Sequence, residues 1–237
     1  MLVACSFRHG LPGQAMDAAS DGAPDVVPDV VPDAAPRFCP ADPHLRLCLS
    51  FDQDPLPAVL PNEGAANVSA QLTNVTGGGG AAQLGTTSTI YLPYTAEVTN
   101  IQAIEVWYRA DVDPANTQRM GLVDSNVSPP NISLFFYRVD PTHQLRCGIG
   151  SQTTVWDATL APGTSYHLAC LCDGAGLKMY VDGVLIGDTA GPCASGGAFV
   201  ADGLTIGSNN NGGPTGVNDW LVGAIDGVRL WDVSTTP

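Results

Sequence analysis

Lys178-Met179-Tyr180-Val181-Asp182-Gly183-Val184-Leu185-Ile186 is the stretch that decides the fold. Two apolar, β-prone runs flank an Asp-Gly pair. That dipeptide suits the two-residue turn whose central residues both take positive φ, so the stretch predicts a tight β-hairpin. Outward from it, residues 45–237 repeat the same grammar: short runs of Val, Ile, Leu, Tyr and Thr between clusters of Gly, Pro, Asn and Asp. No segment shows the period of a useful amphipathic helix. Strands are expected at 45–52, 67–75, 88–93, 101–109, 118–124, 131–139, 144–149, 153–159, 165–172, 177–182, 184–189, 203–208 and 219–232. Many short strands with turn residues between them predict an all-β sandwich or barrel.

Composition narrows the function classes. The 237-residue chain holds 27 Gly and 19 Pro but only 14% charged residues. Its 9 Lys and Arg face 23 Asp and Glu, a net charge of −14. Such a surface excludes unaided nucleic-acid binding, which needs cations to displace phosphate counterions. It also argues against docking on anionic lipid through a basic patch. No run of 18 apolar residues occurs, so no transmembrane helix is expected. The basic residues are eight Arg and a single Lys, Lys178, a bias that fits a GC-rich bacterial source.

The N-terminal part reads differently. Leu2-Val3-Ala4-Cys5 resembles the lipobox of bacterial lipoproteins, which makes Cys5 the expected lipidation site. Only four residues precede Cys5, so the charged and apolar stretches of a signal would lie upstream of this start. Residues 6–44 carry the tandem Pro24-Asp25-Val26-Val27, Pro28-Asp29-Val30-Val31, Pro32-Asp33-Ala34-Ala35. A proline every fourth residue blocks helix and ladder hydrogen bonds, and the repeated Asp repels itself. The expected organisation is a lipobox-like N-terminus (1–5), a disordered linker (6–44) and one folded domain (45–237).

Beyond Cys5, six cysteines remain: Cys39, Cys48, Cys147, Cys170, Cys172 and Cys193. An even set in an exported chain points to disulfides, with 15 possible pairings. Cys39–Cys48 is attractive because it would staple the linker's end to the first strand. Cys170-Leu171-Cys172 matches no common zinc spacing.

Several segments then carry a family resemblance, in the family's own order. Ile104-Glu105-Val106-Trp107-Tyr108-Arg109 resembles a strand of laminin-G-like domains. Tyr166-His167-Leu168-Ala169 with Asp173-Gly174 is similar to their His-bearing strand, and Tyr180-Val181-Asp182-Gly183-Val184 to their hairpin. Leu204-Thr205-Ile206-Gly207-Ser208-Asn209-Asn210-Asn211 and Gly223-Ala224-Ile225-Asp226-Gly227-Val228-Arg229-Leu230-Trp231 resemble their last strands. Leu47-Cys48-Leu49-Ser50-Phe51-Asp52 fits the first strand. The sequence departs from the pattern at Ser165-Tyr166, where a Trp is usual, and at Gly227, where a Glu is usual. The resemblance implies the concanavalin A-like lectin/glucanase superfamily: a two-sheet antiparallel jelly-roll sandwich, here preceded by a disordered tether. It further implies a structural Ca²⁺ held by Asp52 and Asp226. A second calcium set on the rim would use Asn209, Asn211 and Asp219, with Asp124 nearby.

Catalytic relatives pair two carboxylates about 5–5.5 Å apart for retaining glycoside hydrolysis. This chain has only Glu63, Glu97 and Glu105, far apart in sequence, and it lacks G-x-S-x-G and H-E-x-x-H. Sugar recognition instead asks for exposed aromatic faces ringed by amides and carboxylates. Trp156 sits among polar neighbours, and Trp220 follows the Asn/Gly/Asp loop. These two, with Asn209, Asn211 and Asp219, are the expected ligand face. Trp107 and Trp231 are assigned to packing in or beside the core, and His167 to a structural role.

The sequence is thus read as a non-catalytic cell-surface or extracellular module, an outer-membrane lipoprotein whose only membrane contact is a lipid anchor. Its expected partner is a glycan or an extracellular protein, with calcium as the expected cofactor. A glycoside hydrolase of the same superfamily and a purely structural envelope module are the alternatives.

Overall fold

The computed structural model describes residues 38–125, 131–193 and 202–234. Cys5 and the Pro-Asp repeat, with the linker up to residue 37, lie outside the described residues. In chain order the strands are β1 (Leu45–Ser50), β2 (Val59–Pro61), β3 (Ser69–Thr73), β4 (Thr76–Gly77), β5 (Ala82–Leu84) and β6 (Thr89–Leu92). Next come β7 (Ala103–Ala110), β8 (Arg119–Asp124), β9 (Asn131–Val139), β10 (Thr142–Gly150), β11 (Gln152–Ala158) and β12 (Ser165–Cys172). The last six are β13 (Gly176–Val181), β14 (Val184–Ala190), β15 (Leu204–Ile206), β16 (Asn209–Asn210), β17 (Val217–Asn218) and β18 (Gly223–Trp231). The described residues contain no α-helix.

Two eight-stranded sheets carry the fold. Sheet A runs β14-β13-β12-β7-β18-β5-β4, with β1 also on β18; sheet B runs β11-β10-β9-β8-β15-β6-β3-β2. Every recorded pairing is antiparallel. The expected two-sheet sandwich is what the chain forms. The β13–β14 hairpin turns on Asp182 (φ 50°) and Gly183 (φ 76°), with Val181 opposite Val184.

Period-2 alternation sends one face of each sheet inward. Val106, Tyr108, Leu168, Val228 and Leu230 of sheet A meet Leu122, Leu134, Phe136, Leu145 and Ile206 of sheet B in the main core. Cys147 on β10 and Cys170 on β12 belong to that core and are bonded across it. Cys172 is bonded to Cys193, which ties the end of β12 to the segment after β14.

Sheet A has a second apolar layer on its outer face. Cys39, Leu45, Cys48, Ala103, Leu171 and Trp231 cluster there, with Phe38 and Tyr180 against them. The Cys39–Cys48 disulfide fastens this strap to β1, as its position in the sequence suggested. Packing therefore starts ahead of the boundary expected at residue 45. Gly227 has a local reason here: a Cβ at this position would fall 2.0 Å from the Phe38 ring. The departure from the family's Glu makes room for the strap.

Candidate functional site

The outer face of sheet B brings polar and aromatic side chains together at the surface. Cross-strand partners share a face, so the register reads the surface out in rows. One row is Asp157-Gln144-Tyr137-Arg119, from β11 through β10 and β9 to β8. The next is Val155-Arg146-Phe135-Gly121, and the third begins Thr153-Gly148-Ser133-Asp124. The crossover from β15 to β18 lies on this face and walls it. Gly121 lets it approach: a Cβ there would sit 2.3–2.5 Å from the backbone of Ser208 and Asn209.

Arg119 fastens the wall to the sheet. Its Nε donates to Asp219 Oδ2 (2.6 Å), Nη1 to Tyr137 Oη (3.2 Å) and Nη2 to Asn209 Oδ1 (3.2 Å). The guanidinium lies 4.5 Å from the Phe135 centroid, and these hydrogen bonds raise the Arg119 pKa against the opposing effect of burial, which is the largest single contribution. Asn209 Nδ2 donates to Asn218 Oδ1 (2.5 Å), closing the β16–β17 hairpin. Asn210, fully buried, donates its backbone N–H to Asp124 Oδ2 (2.9 Å) and accepts from the Gly212 and Gly213 amides. Arg146 stands beside this network with its guanidinium 5.8 Å from Phe135, and its Nη1 donates to Tyr137 Oη (3.4 Å). Gln144 Nε2 donates to Asp157 Oδ1 (2.9 Å) at the open edge. There a cleft of about 410 Å³ runs between the sheets, bounded by Asp157, Thr159, Val181, Val184 and Ile186.

The residues expected at the ligand face are distributed as follows. Asn209 and Asp219 build the wall through Arg119, and Asn209 is fully buried. Asn211 is exposed beyond β16. Trp220 is half-buried; its Nε1 is buried and has no hydrogen-bond partner among the described residues. Trp156 lies opposite Leu145 on the inward face and packs against the core. A Cβ on Gly187 of β14 would fall 1.9 Å from its ring, so Trp156 fills the seam between the two edge strands and is turned away from the outer face of sheet B. The polar neighbours that made it look exposed, Thr153 and Asp157, belong with Val155 to the opposite, outward set. Arg119, Phe135, Tyr137, Gln144 and Arg146 were not singled out from sequence. The alternation Gln144/Arg146/Gly148 against Leu145/Cys147/Ile149 carried the signal.

Pairing of β1 with β18 sets Ser50 opposite Gly227, and the Phe51 amide donates to the Asp226 carbonyl (3.3 Å). Asp52 and Asp226 are thereby brought to the same end of one strand pair, with the glycine-rich turn at Gly80 beside Asp52. Among the described residues no group of three His, Cys, Asp or Glu side chains could hold a metal.

On sheet A, the outer cluster is filled. Trp107 stacks on His167 with centroids 4.1 Å apart and planes 9° from parallel, and Phe38 meets Trp107 edge-on at 4.9 Å. Arg229 lies over both Phe38 (4.4 Å) and Trp107 (4.6 Å) and also donates to the Phe38 carbonyl. Glu105 Oε2 accepts from Trp231 Nε1 (3.1 Å) and from Arg229 Nη1 (3.5 Å). Burial lowers the His167 pKa; nearby Glu105 opposes this and Arg229 adds to it. Glu63 accepts from Ser50 Oγ (2.6 Å) and Glu97 from the Asn67 amide (2.6 Å). Each of the three glutamates is thus engaged in a structural contact of its own.

Three disulfides mark a chain that folds in an oxidising compartment, outside the cytosol. The described residues hold no helix long and apolar enough to cross a membrane. Among solved structures the chain resembles Trypanosoma rangeli sialidase in complex with 2,3-difluoro-KDN: TM-score 0.59, 14% identity, 87% of this chain and 34% of that chain. It also resembles domain 4 of AbnA, a GH43 extracellular arabinanase from Geobacillus stearothermophilus, in complex with arabinotriose: TM-score 0.51, 20% identity, 81% of this chain and 94% of that chain. The chain therefore spans about a third of the sialidase and nearly all of the arabinanase domain; at these identities the likeness is one of fold. No curated protein matches the sequence. The family described as the concanavalin A-like lectin/glucanases superfamily matches residues 77–237, the span that contains most of the strand motifs and both sheets' central strands. The chain belongs to the concanavalin A-like lectin/glucanase superfamily.

Proposed function

We propose that this protein is a non-catalytic glycan-binding module of the cell surface, held to its membrane by a lipid on Cys5. The observation that carries the reading is the outer face of sheet B. There Tyr137, Gln144, Arg146 and Asp157 present hydroxyl, amide, guanidinium and carboxylate groups side by side. Such planar polar groups match the paired hydroxyls of a sugar ring. The arabinanase domain in complex with arabinotriose supports the class of ligand for this fold and does not fix its identity. The non-catalytic part rests on the glutamates, each tied into a separate contact. Calcium in this reading is structural, with Asp52 and Asp226 as its carboxylates and backbone carbonyls completing the oxygen shell it requires.

A glycan array probed with the full chain, with and without EDTA, tests the proposal. Binding to a defined set of oligosaccharides without release of reducing ends is the expected result. No binding in either condition would overturn it in favour of a structural module, and release of reducing sugar would overturn the non-catalytic assignment.

A further inference from the structure

The acid–base ledger of the described residues has one exception. Arg46 pairs with Asp232, Arg109 with Asp111, Arg119 with Asp219, Arg138 with Asp140, Lys178 with Asp173 and Arg229 with Glu105. Arg146, the seventh described cation, has no carboxylate within 4.0 Å among the described residues. In a chain with 23 acidic side chains against 9 basic ones, an Arg without a carboxylate is the unusual case. A carboxylate is near at hand: Asp157 is diagonal to Arg146 across β10 and β11, yet it is engaged with Gln144. Asp219 is engaged with Arg119, and Asp124 accepts from the Asn210 amide.

Arg146 is half-buried, and its guanidinium is steadied by Phe135 and by one hydrogen bond to Tyr137. Of its five N–H donors one is used among the described residues, which leaves a bidentate edge without a partner among them. Toward the other end of its strand, the next outward position is Gly148, which brings no side chain. Beside Gly148 lies Ser133, whose buried Oγ has no hydrogen-bond partner among the described residues.

The geometry points to Arg146 as the anchor for a carboxylate-bearing sugar, a uronic or sialic acid residue, on the outer face of sheet B. This rests on the glycan-binding reading above and adds the class of ligand. The free edge of the guanidinium takes the carboxylate in a two-point contact. Gln144 and the Tyr137 hydroxyl face the adjoining ring hydroxyls. The net charge of −14 repels acidic ligands in general, so any acidic sugar that binds must do so through a local cation such as this one.

The test titrates the full chain with matched oligosaccharides that differ in the carboxylate: sialyllactose against lactose, and a glucuronate-terminated against a glucose-terminated disaccharide. The acidic member of at least one pair should bind about tenfold or more tightly, as befits a charged hydrogen-bonded contact, and the preference should shrink as salt rises. Arg146→Gln should abolish the preference while melting and circular dichroism stay close to wild type. Arg146→Lys should keep part of it, because an ammonium supplies charge without the fork. Neutral sugars bound as tightly as their acidic partners would overturn this inference and leave the glycan reading standing. No sugar bound by the wild type would overturn both. An unaltered acidic preference in Arg146→Gln would place the carboxylate elsewhere.

Discussion

Cys147 and Cys170 are bonded across the sandwich, one from each sheet, with Cα atoms 6.3 Å apart. They clamp β10 of sheet B to β12 of sheet A at a point buried from solvent. The bond closes a loop of 23 residues, for which restriction of the unfolded chain amounts to about 3 kcal/mol. The double variant Cys147→Ala/Cys170→Ala should therefore melt about 6–12 °C below wild type, the shift expected for a domain of this size. Differential scanning calorimetry under non-reducing conditions measures it. An unchanged melting temperature would mean that the two sheets hold together without the clamp.

Gly121 governs the wall of the candidate site. Its Cβ position is occupied by the backbone of Ser208 and Asn209, which cannot swing aside as a side chain would. Gly121→Ala should lift the 207–221 crossover from sheet B, at a cost of about 1–3 kcal/mol. Lifting it would separate Arg119 from Asp219 and Asn209. Amide exchange should then speed up for residues 209–218 while β12 and β13 keep their protection. Uniform loosening of both sheets, or none at all, would contradict this account of the wall.

How far the sequence reached depends on the length of the element. Strands such as β7, β12 and β18 carry enough period to be placed, although β18 begins at Gly223 rather than at 219. Val59–Pro61, Ala82–Leu84 and the Asn209–Asn210 ladder were missed because two or three residues hold no readable alternation. The site was less legible than the fold. In β9, Ile132 to Phe136 is an almost unbroken apolar run apart from Ser133, so nothing marks Phe135 as outward until its partners Gly121 and Arg146 are known. Trp156 illustrates the converse. Polar residues on either side of it signal the other face of a strand, not exposure of the Trp itself.

Trp156 separates packing from recognition. It sits against Gly187 at the seam and is in contact with the main core. Trp156→Ala should destabilise the protein by about 2–4 kcal/mol, toward the lower end for buried aromatics because the ring is half-exposed. Its affinity for any glycan found on the array should stay within about twofold, since the ring faces away from Arg146 and Tyr137. A large loss of affinity without a loss of stability would return Trp156 to the ligand face.

Calcium has a direct thermal readout. If Asp52 and Asp226 hold the ion, millimolar Ca²⁺ should raise the melting temperature of EDTA-stripped protein, as any ligand selective for the folded state does. Asp226→Asn should lose most of that increment, and Mg²⁺ should not reproduce it, because Mg²⁺ demands a tighter octahedral shell. A melting temperature indifferent to Ca²⁺ would remove the ion from the proposed function without touching the glycan face.

His167 makes stability sensitive to mild acid. Its ring is stacked on Trp107, largely shielded from solvent, and held below its ordinary pKa first by that burial and then by Arg229, with Glu105 opposing. The folded chain thus favours the neutral ring. Below about pH 6.5 the unfolded chain takes up a proton that the folded chain resists, so unfolding binds protons and stability falls as pH falls. The loss should continue until the pH passes the folded pKa and then level off. His167→Phe keeps a flat ring against Trp107 and removes the titration. Melting curves between pH 7.5 and 5 should therefore slope for the wild type and be flatter for the variant. Parallel slopes in the two proteins would rule out His167 as the source of the acid sensitivity.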